Sequence, residues 1–341
     1  MSVPNIASQL EFDPVRLRQW LQGRLPGIHG EMRIERIGGG QSNPTFFVEF
    51  PEQSLVLRKQ PPGQLLPSAH AVDREFRIQS ALAASAVPVP EMLAFCDDRD
   101  VVGTPFYVMR KLQGRVMPDY ALPAVSAAER RAYFDAMADT LAALHGVDWQ
   151  ALGLADYGKP GNFFERQVAR WTRQWEASKG GENADIDRLI DWLPKHVPAD
   201  QTSTIAHGDF RLGNLMFHPT EPKVVAVLDW ELSTLGHPLA DLGYCCIAWH
   251  MQPEQFGGIA GLDLAALGLP TQQQFVERYL SRCGRALELE PFHLAFSMFR
   301  FAVILEGVAA RAKAGNAASS DAAQVGGLAA AFARTAAALT R

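Results

Sequence analysis

With 341 residues, 48% hydrophobic and 20% charged, the chain has the composition of a soluble globular protein with a large core, expected to form two lobes. A formal charge of −5 leaves no footprint for nucleic acid or an anionic membrane surface, so a phosphorylated ligand needs locally placed Arg, Lys or metal. No uninterrupted apolar stretch approaches a membrane span, no signal peptide is read, and Cys96, Cys245, Cys246 and Cys283 lack zinc or redox spacing; a cytoplasmic, reduced protein without structural metal is expected.

The first predicted element is a short helix with Asp13 as N-cap, Pro14 at its first position and a Leu17/Trp20/Leu21 face. Arg33–Ile37 and Thr45–Phe50 read as strands around G-G-G-Q-S-N-P, and a turn at Pro51–Ser54 leads to a third, Leu55–Lys59. After a loop rich in Pro, Val72–Ala84 reads as a helix with Val72, Phe76, Ile78, Gln79 and Leu82 around its inner side. Met92–Phe95 and Phe106–Leu112, across a D-D-R-D turn, complete five strands. From Gly114 the pattern is mainly helical. Ser126 with Glu129 predicts a capping box for a helix burying Phe134, Met137, Leu141 and Leu144. Further helices are predicted near Phe163–Ala177, Pro238–His250, Thr271–Cys283 and Pro291–Lys313, with a closing helix in the Ala-rich tail. The class is α+β, divided into residues 1–111 and 112–341.

The chemistry concentrates in Ile205–Asp229, where Leu215–Phe217 and Val224–Leu228 read as a hairpin. Asp209 and Asn214 precede its first strand and Asp229 ends its second. A loop carboxylate can orient a hydroxyl and accept its proton, while an amide oxygen and a second carboxylate can ligate Mg²⁺. His207 is read as fixing the loop, Arg211 as neutralising a transferring phosphate or meeting an anionic substrate, and Asp241 as a structural brace. On the nucleotide side, Gly38, Gly39 and Gly40 can bring backbone amides to phosphates, with Ser42 and Asn43 as side-chain donors. Period two puts Val56 and Arg58 on one strand face, the first toward the base and the second toward the phosphates. Lys59 points the other way, and Glu75 can pair with Arg58. The backbone from Met109 to Lys111 can meet an adenine edge. Arg166, Arg170 and Arg173 form a basic helical stripe, and Arg300 and Glu306 interrupt an apolar helix, each facing a cleft or another partner.

H-G-D-F-R-L-G-N at 207–214, V-L-D-W-E at 227–231 and H-P-L-A-D-L-G at 237–243 resemble the aminoglycoside phosphotransferase and choline kinase-like family, and through it the protein-kinase-like fold. The resemblance implies a two-lobed fold with a five-stranded antiparallel N-lobe sheet, one helix and a helical C-lobe. It implies ATP and Mg²⁺ as cofactors, Asp209 as base, Asn214 and Asp229 as metal ligands, and Glu75 as partner of the phosphate-binding basic residue. Gly208 stands where protein kinases have arginine, Trp230-Glu231 where they have Phe-Gly, and no A-P-E segment is present. V-L-R-K-Q-P-P-G-Q-L-L-P-S-A-H and M-F-R-F-A-V-I-L-E-G-V-A-A-R resemble, more narrowly, kinase domains fused to acyl-CoA dehydrogenases, a group associated with hydroxyacyl-CoA phosphorylation.

The expected activity is transfer of the γ-phosphoryl group of ATP to a hydroxyl of a small molecule, with an acyl-CoA thioester as one acceptor class. Aminoglycoside phosphorylation and a non-catalytic nucleotide-binding pseudokinase are the alternatives. No nucleic-acid or membrane partner is expected, and a homodimer is the assembly left open.

Overall fold

The computed structural model describes residues 11–38, 43–63, 70–313 and 322–340, without side chains at 311–313 and 322–325. Two compact units result: Met1–Gly114 with Val225–Glu231, and Arg115–Val224 with Leu232–Arg341.

In the first unit, Asp13 accepts the Val15 N–H and starts α1 (Pro14–Gln22), which buries Leu17, Trp20 and Leu21. The strands are β1 (Arg33–Arg36), β2 (Thr45–Glu49) and β3 (Ser54–Lys59), then, after α2 (Val72–Leu82), β4 (Met92–Cys96). A single-turn helix, α3 (Arg99–Val102), occupies the D-D-R-D segment before β5 (Phe106–Arg110). All pairs are antiparallel, in the order β1-β2-β3-β5-β4. Strand alternation gathers Phe46, Val48, Leu55, Leu57, Phe106 and Val108 with the apolar residues of α1 into one core cluster. The other phase of the alternation carries Val56 opposite Met109 and Arg58 opposite Tyr107. Helix α2 turns Glu75, Ile78, Gln79 and Leu82 inward; Phe76, expected inside, is half-buried.

The second unit begins with β6 (Arg115–Val116) and α4 (Ala127–His145), followed by α5 (Phe163–Ser178) and α6 (Ala184–Trp192). Next come β7 (Thr204–Ala206), β8 (Leu215–Phe217), β9 (Val224–Val227), which passes into the first unit at Val225, and β10 (Thr234–Gly236). Helices α7 (Pro238–Cys246), α8 (Leu264–Leu267), α9 (Gln272–Cys283), α10 (Pro291–Lys313) and α11 (Ala322–Ala338) complete it. Its core joins Phe164, Val168 and Trp175 of α5, Ile186 and Leu189 of α6, Phe292, Phe296 and Phe299 of α10, and Phe332 of α11.

Two expectations are corrected here. Ser126 does not cap α4 through a backbone amide; its hydroxyl donates to the Glu129 carboxylate. A reciprocal capping box forms instead at Thr271 and Gln274, at the start of α9. Pro291–Ala310, with mean hydropathy 1.5, is long and apolar enough for a membrane span by length and composition, contrary to the reading of the sequence. It is the central core helix of this unit, 67% buried.

His293 in α10 is buried, its Nδ1 accepts the Glu290 N–H, and its Nε2 has no hydrogen-bond partner among the described residues. Burial, then the nearby His237, pull its pKa down to about 4. A histidine depressed in the fold stays neutral while the unfolded chain takes up a proton, so stability falls as pH drops from about 6.5 toward 4. Urea unfolding of the wild type should lose about 3 kcal/mol over that window through this group, and His293→Phe should remove much of that slope.

Candidate active site

Strand β3 and helix α2 build the first unit's share. The β2–β3–β5 register sets Arg58 between Thr45 and Tyr107, on the face shared with Val56. Arg58 Nε lies 2.8 Å from Glu75 Oε2, and Nη2 donates to Asp229 Oδ1 at 2.9 Å, with Glu231 at 3.9 Å. Burial works against the Arg58 charge, but Glu75, then Asp229 and Glu231, outweigh it and push the guanidinium above its ordinary range. Glu75 is 1% exposed, a burial a carboxylate tolerates only with partners. Beyond its ion pair with Arg58 it accepts hydrogen bonds from Asn43 Nδ2 at 2.6 Å and from the Tyr107 hydroxyl at 2.9 Å, and His70 Nδ1 meets Asn43 Oδ1 at 3.0 Å. Asn43 is therefore spent on bracing Glu75 rather than presented as a phosphate donor. Lys59 turns to the other side, 3.8 Å from Glu11 and over the Phe12 ring.

Asp229 follows β9 with φ +62°, a left-handed backbone uncommon outside glycine and tolerated best by Asn and Asp. Buried Trp230, whose Nε1 donates to Val227 O, anchors the segment. Arg58 occupies Asp229 Oδ1; Oδ2 carries no hydrogen bond among the described residues. At Lys111 two of the groups that could meet a base are engaged. Its N–H donates to Ser54 O and its ammonium pairs with Glu49 over the Phe47 ring, which leaves the carbonyl as its group for an adenine edge. Arg110 N–H is likewise spent on Glu91 O, and the next amides without a partner among the described residues are those of Leu112 and Gln113. Met109 stands beside Val56 in the ladder, half-buried. Gly39, Gly40 and Ser42 lie outside the described residues.

The second unit's share is the loop from β7 to β8. Asp241, 1% exposed, accepts His207 N–H at 2.7 Å and Gly208 N–H at 2.8 Å, and His145 Nε2 lies 3.3 Å away. His145 Nδ1 in turn meets the Tyr279 hydroxyl at 2.7 Å. Burial alone would raise the Asp241 pKa; His145, then His207 and the Gly208 amide, reverse this and hold it below the ordinary carboxylate range. Gly208 has φ +84°, and a Cβ there would come within 2.8 Å of Leu232 O, so a side chain cannot stand at this turn. His207 Nδ1 accepts the Asp209 N–H at 3.2 Å. The His207 and Asp241 side chains thus both go into loop geometry.

Asp209 is gripped on both oxygens. Asn214 Nδ2 donates to Oδ2 at 2.7 Å and to the Asp209 carbonyl at 2.9 Å, Arg211 Nε reaches Oδ2 at 3.4 Å, and the Tyr244 hydroxyl donates to Oδ1 at 2.5 Å. Tyr244, buried on α7, was missed because its partner is 35 residues away and its position carries no local pattern. With Nδ2 committed, Asn214 has Oδ1 free of partners among the described residues. A free amide oxygen at 214 and a free carboxylate oxygen at 229 are both hard donors, the kind Mg²⁺ takes. Each fits the ion on its own side.

Arg211 is half-buried and lies 5.9 Å from the Phe256 ring. With Pro118, Asp119, Tyr120, Phe256 and Gly257 it lines a cavity of about 310 Å³, and its Nε lies 3.4 Å from the Asp209 carboxylate. The arginine stripe separates: Arg166 is tied to the backbone carbonyls of Gly161 and Lys159, while Arg170 and Arg300 both approach Trp171.

Residues 33–275 match the phosphotransferase enzyme family. Acyl-CoA dehydrogenase family member 10 of Mus musculus is 43% identical over 337 residues, covering 96% of this chain and 31% of its own length. The chain thus spans about a third of that relative. A crystal structure from Ralstonia eutropha, provisionally assigned as an aminoglycoside phosphotransferase, is 47% identical with a TM-score of 0.89, covering 96% of this chain and 98% of that one. Aminoglycoside phosphotransferase APH(4)-Ia, in complex with AMP-PNP and hygromycin B, shares the fold at 16% identity and a TM-score of 0.60, over 93% of this chain and 97% of its own. The chain belongs to the phosphotransferase enzyme family and has its kinase-like fold.

Proposed function

We propose that this small-molecule phosphotransferase moves the γ-phosphoryl group of ATP to the hydroxyl of a hydroxyacyl-CoA thioester. The observation that carries the chemistry is Asp209, fixed on both oxygens and adjoining the Arg211 cavity. An acceptor hydroxyl in that cavity donates to an Asp209 oxygen, which orients the attacking lone pair and takes the proton. The new bond joins the acceptor oxygen to the γ-phosphorus, the bond to the β–γ bridging oxygen breaks, and ADP carries away the electron pair. Asn214 through Oδ1 and Asp229 through its carboxylate would hold Mg²⁺, which when bound offsets charge on the phosphate oxygens. Arg58, held by Glu75, keeps its Nη1 edge for phosphate, and Arg211 offsets charge on the acceptor side.

The acyl-CoA acceptor is supported by the acyl-CoA dehydrogenase name of the relative and by an arginine, rather than a run of carboxylates, at the cavity wall. APH(4)-Ia, with hygromycin B bound, supports an aminoglycoside reading through the fold alone. Coupled ADP release over hydroxyacyl-CoAs, aminoglycosides, choline, homoserine and sugars separates them. Hydroxyacyl-CoA should raise turnover at least about tenfold over the acceptor-free rate; faster turnover of an aminoglycoside would reverse the assignment.

A further inference from the structure

Trp171 on α5 is flanked by two guanidiniums, Arg170 at 5.2 Å and Arg300 of α10 at 5.7 Å from the ring. Among the described residues neither arginine has an acidic partner or a hydrogen bond. Partial desolvation, then the Arg300 charge, lower the pKa of Arg170, an exposed residue, and the second cause puts the two cations within reach of mutual repulsion. An indole face attracts both but neutralises neither. Two converging guanidiniums are suited to the forked oxygens of a phosphate, and the indole offers a stacking surface beside them.

On the same helix, α10, the residue after Arg300 begins a row of rings that ends beside the base. Arg300 adjoins Phe301, whose ring lies 4.7 Å from Phe256 and 5.9 Å from Tyr244. Phe256 lies near Arg211 at the cavity wall, and Tyr244 holds Asp209. Trp171, Phe256 and Phe301 are the partly exposed margin of the second unit's core. They are apolar surface on the same unit as the base and the arginine pair.

We propose that Arg170 and Arg300, held against Trp171, dock the phosphate-bearing nucleotide end of the acceptor while its hydroxyl lies at Asp209. This rests on the acyl-CoA reading above and adds the residues that select for it. The acyl and pantetheine portion runs along Phe301 and Phe256, and the adenosine phosphates meet the guanidiniums.

The test is steady-state kinetics of the full chain with a hydroxyacyl-CoA and with the matching hydroxyacyl-pantetheine, which lacks the adenosine phosphates. Arg170→Ala and Arg300→Ala should each raise KM for the CoA ester about tenfold, as loss of a charged hydrogen bond does. KM for ATP, kcat and KM for the pantetheine ester should not move, and Arg300→Lys should recover part of the loss. Independently of any variant, adenosine 3′,5′-bisphosphate should compete with the CoA ester on the wild type. Wild-type turnover of the CoA ester with unchanged KM in both alanine variants would overturn the site and leave the acceptor assignment standing, as would competition by the bisphosphate against ATP alone. Failure of the wild type to turn over either ester, with turnover of an aminoglycoside, would overturn the acceptor assignment and the docking site with it.

Discussion

Asp209→Asn should reduce kcat at least about a thousandfold while leaving ATP affinity within about twofold, the size expected when a positioned proton acceptor is lost. The substitution keeps the shape of the side chain. It removes the oxygen that can both accept the hydroxyl hydrogen bond and take the proton. It also sets one amide group against another: Asn214 Nδ2, now 2.7 Å from Oδ2, would face either an oxygen of lower charge or an NH₂. Tyr244 continues to donate to Oδ1 if the amide orients its oxygen there. In the proposed mechanism ATP binding involves Arg58 and its partners, so titration of ATP with calorimetry should separate the two effects. Near-normal turnover in Asp209→Asn would remove the base from its assigned role.

Asp241→Ala should cost about 3 kcal/mol of stability and silence the enzyme as well, because it breaks a buried charged network from one side. Two backbone amides of the His207–Gly208 turn and one nitrogen of His145 would lose their acceptor together. Those amides set the direction in which Asp209 leaves the loop. The effect is readable as a fall in the urea midpoint with an unchanged slope. The pH dependence has a definite sign. The folded-state pKa of Asp241 is depressed, so its contribution is complete above the unfolded aspartate value near 4 and is lost as pH falls below it. Asp241→Ala should therefore be less sensitive than the wild type to acid below about pH 4. An alanine variant as stable as the wild type would make Asp241 dispensable to the loop.

How much of this was legible in the residues themselves depended on range. Asp13-Pro14 marks the start of α1 because capping is a local matter of one side chain and two amides. The Val56–Arg58 face followed from period two alone. Glu75 against Arg58 could be guessed from strand and helix order, yet its second and third partners, Asn43 and Tyr107, lie 32 residues away on either side. The same limit hid Tyr244 and the His145–Tyr279 pair, whose partners are 35 and 134 residues distant. Ser126-x-x-Glu129 has the right letters for a capping box, but its hydroxyl found the carboxylate before the amide. Lys111 was placed on the nucleotide side by position in the chain, whereas Glu49 and Ser54 on neighbouring strands claim both its charge and its amide. Arg300 stood out as a charge in an apolar helix, but its convergence with Arg170 on Trp171 needs the packing of α5 against α10.

The most direct test of the central claim is mass spectrometry of the acceptor after incubation with the full chain, Mg²⁺ and ATP. A hydroxyacyl-CoA heavier by one phosphoryl group should form in step with ADP and be absent with Asp209→Asn. ADP formed at the acceptor-free rate, with the CoA ester unmodified at every chain length and hydroxyl position tried, would contradict it.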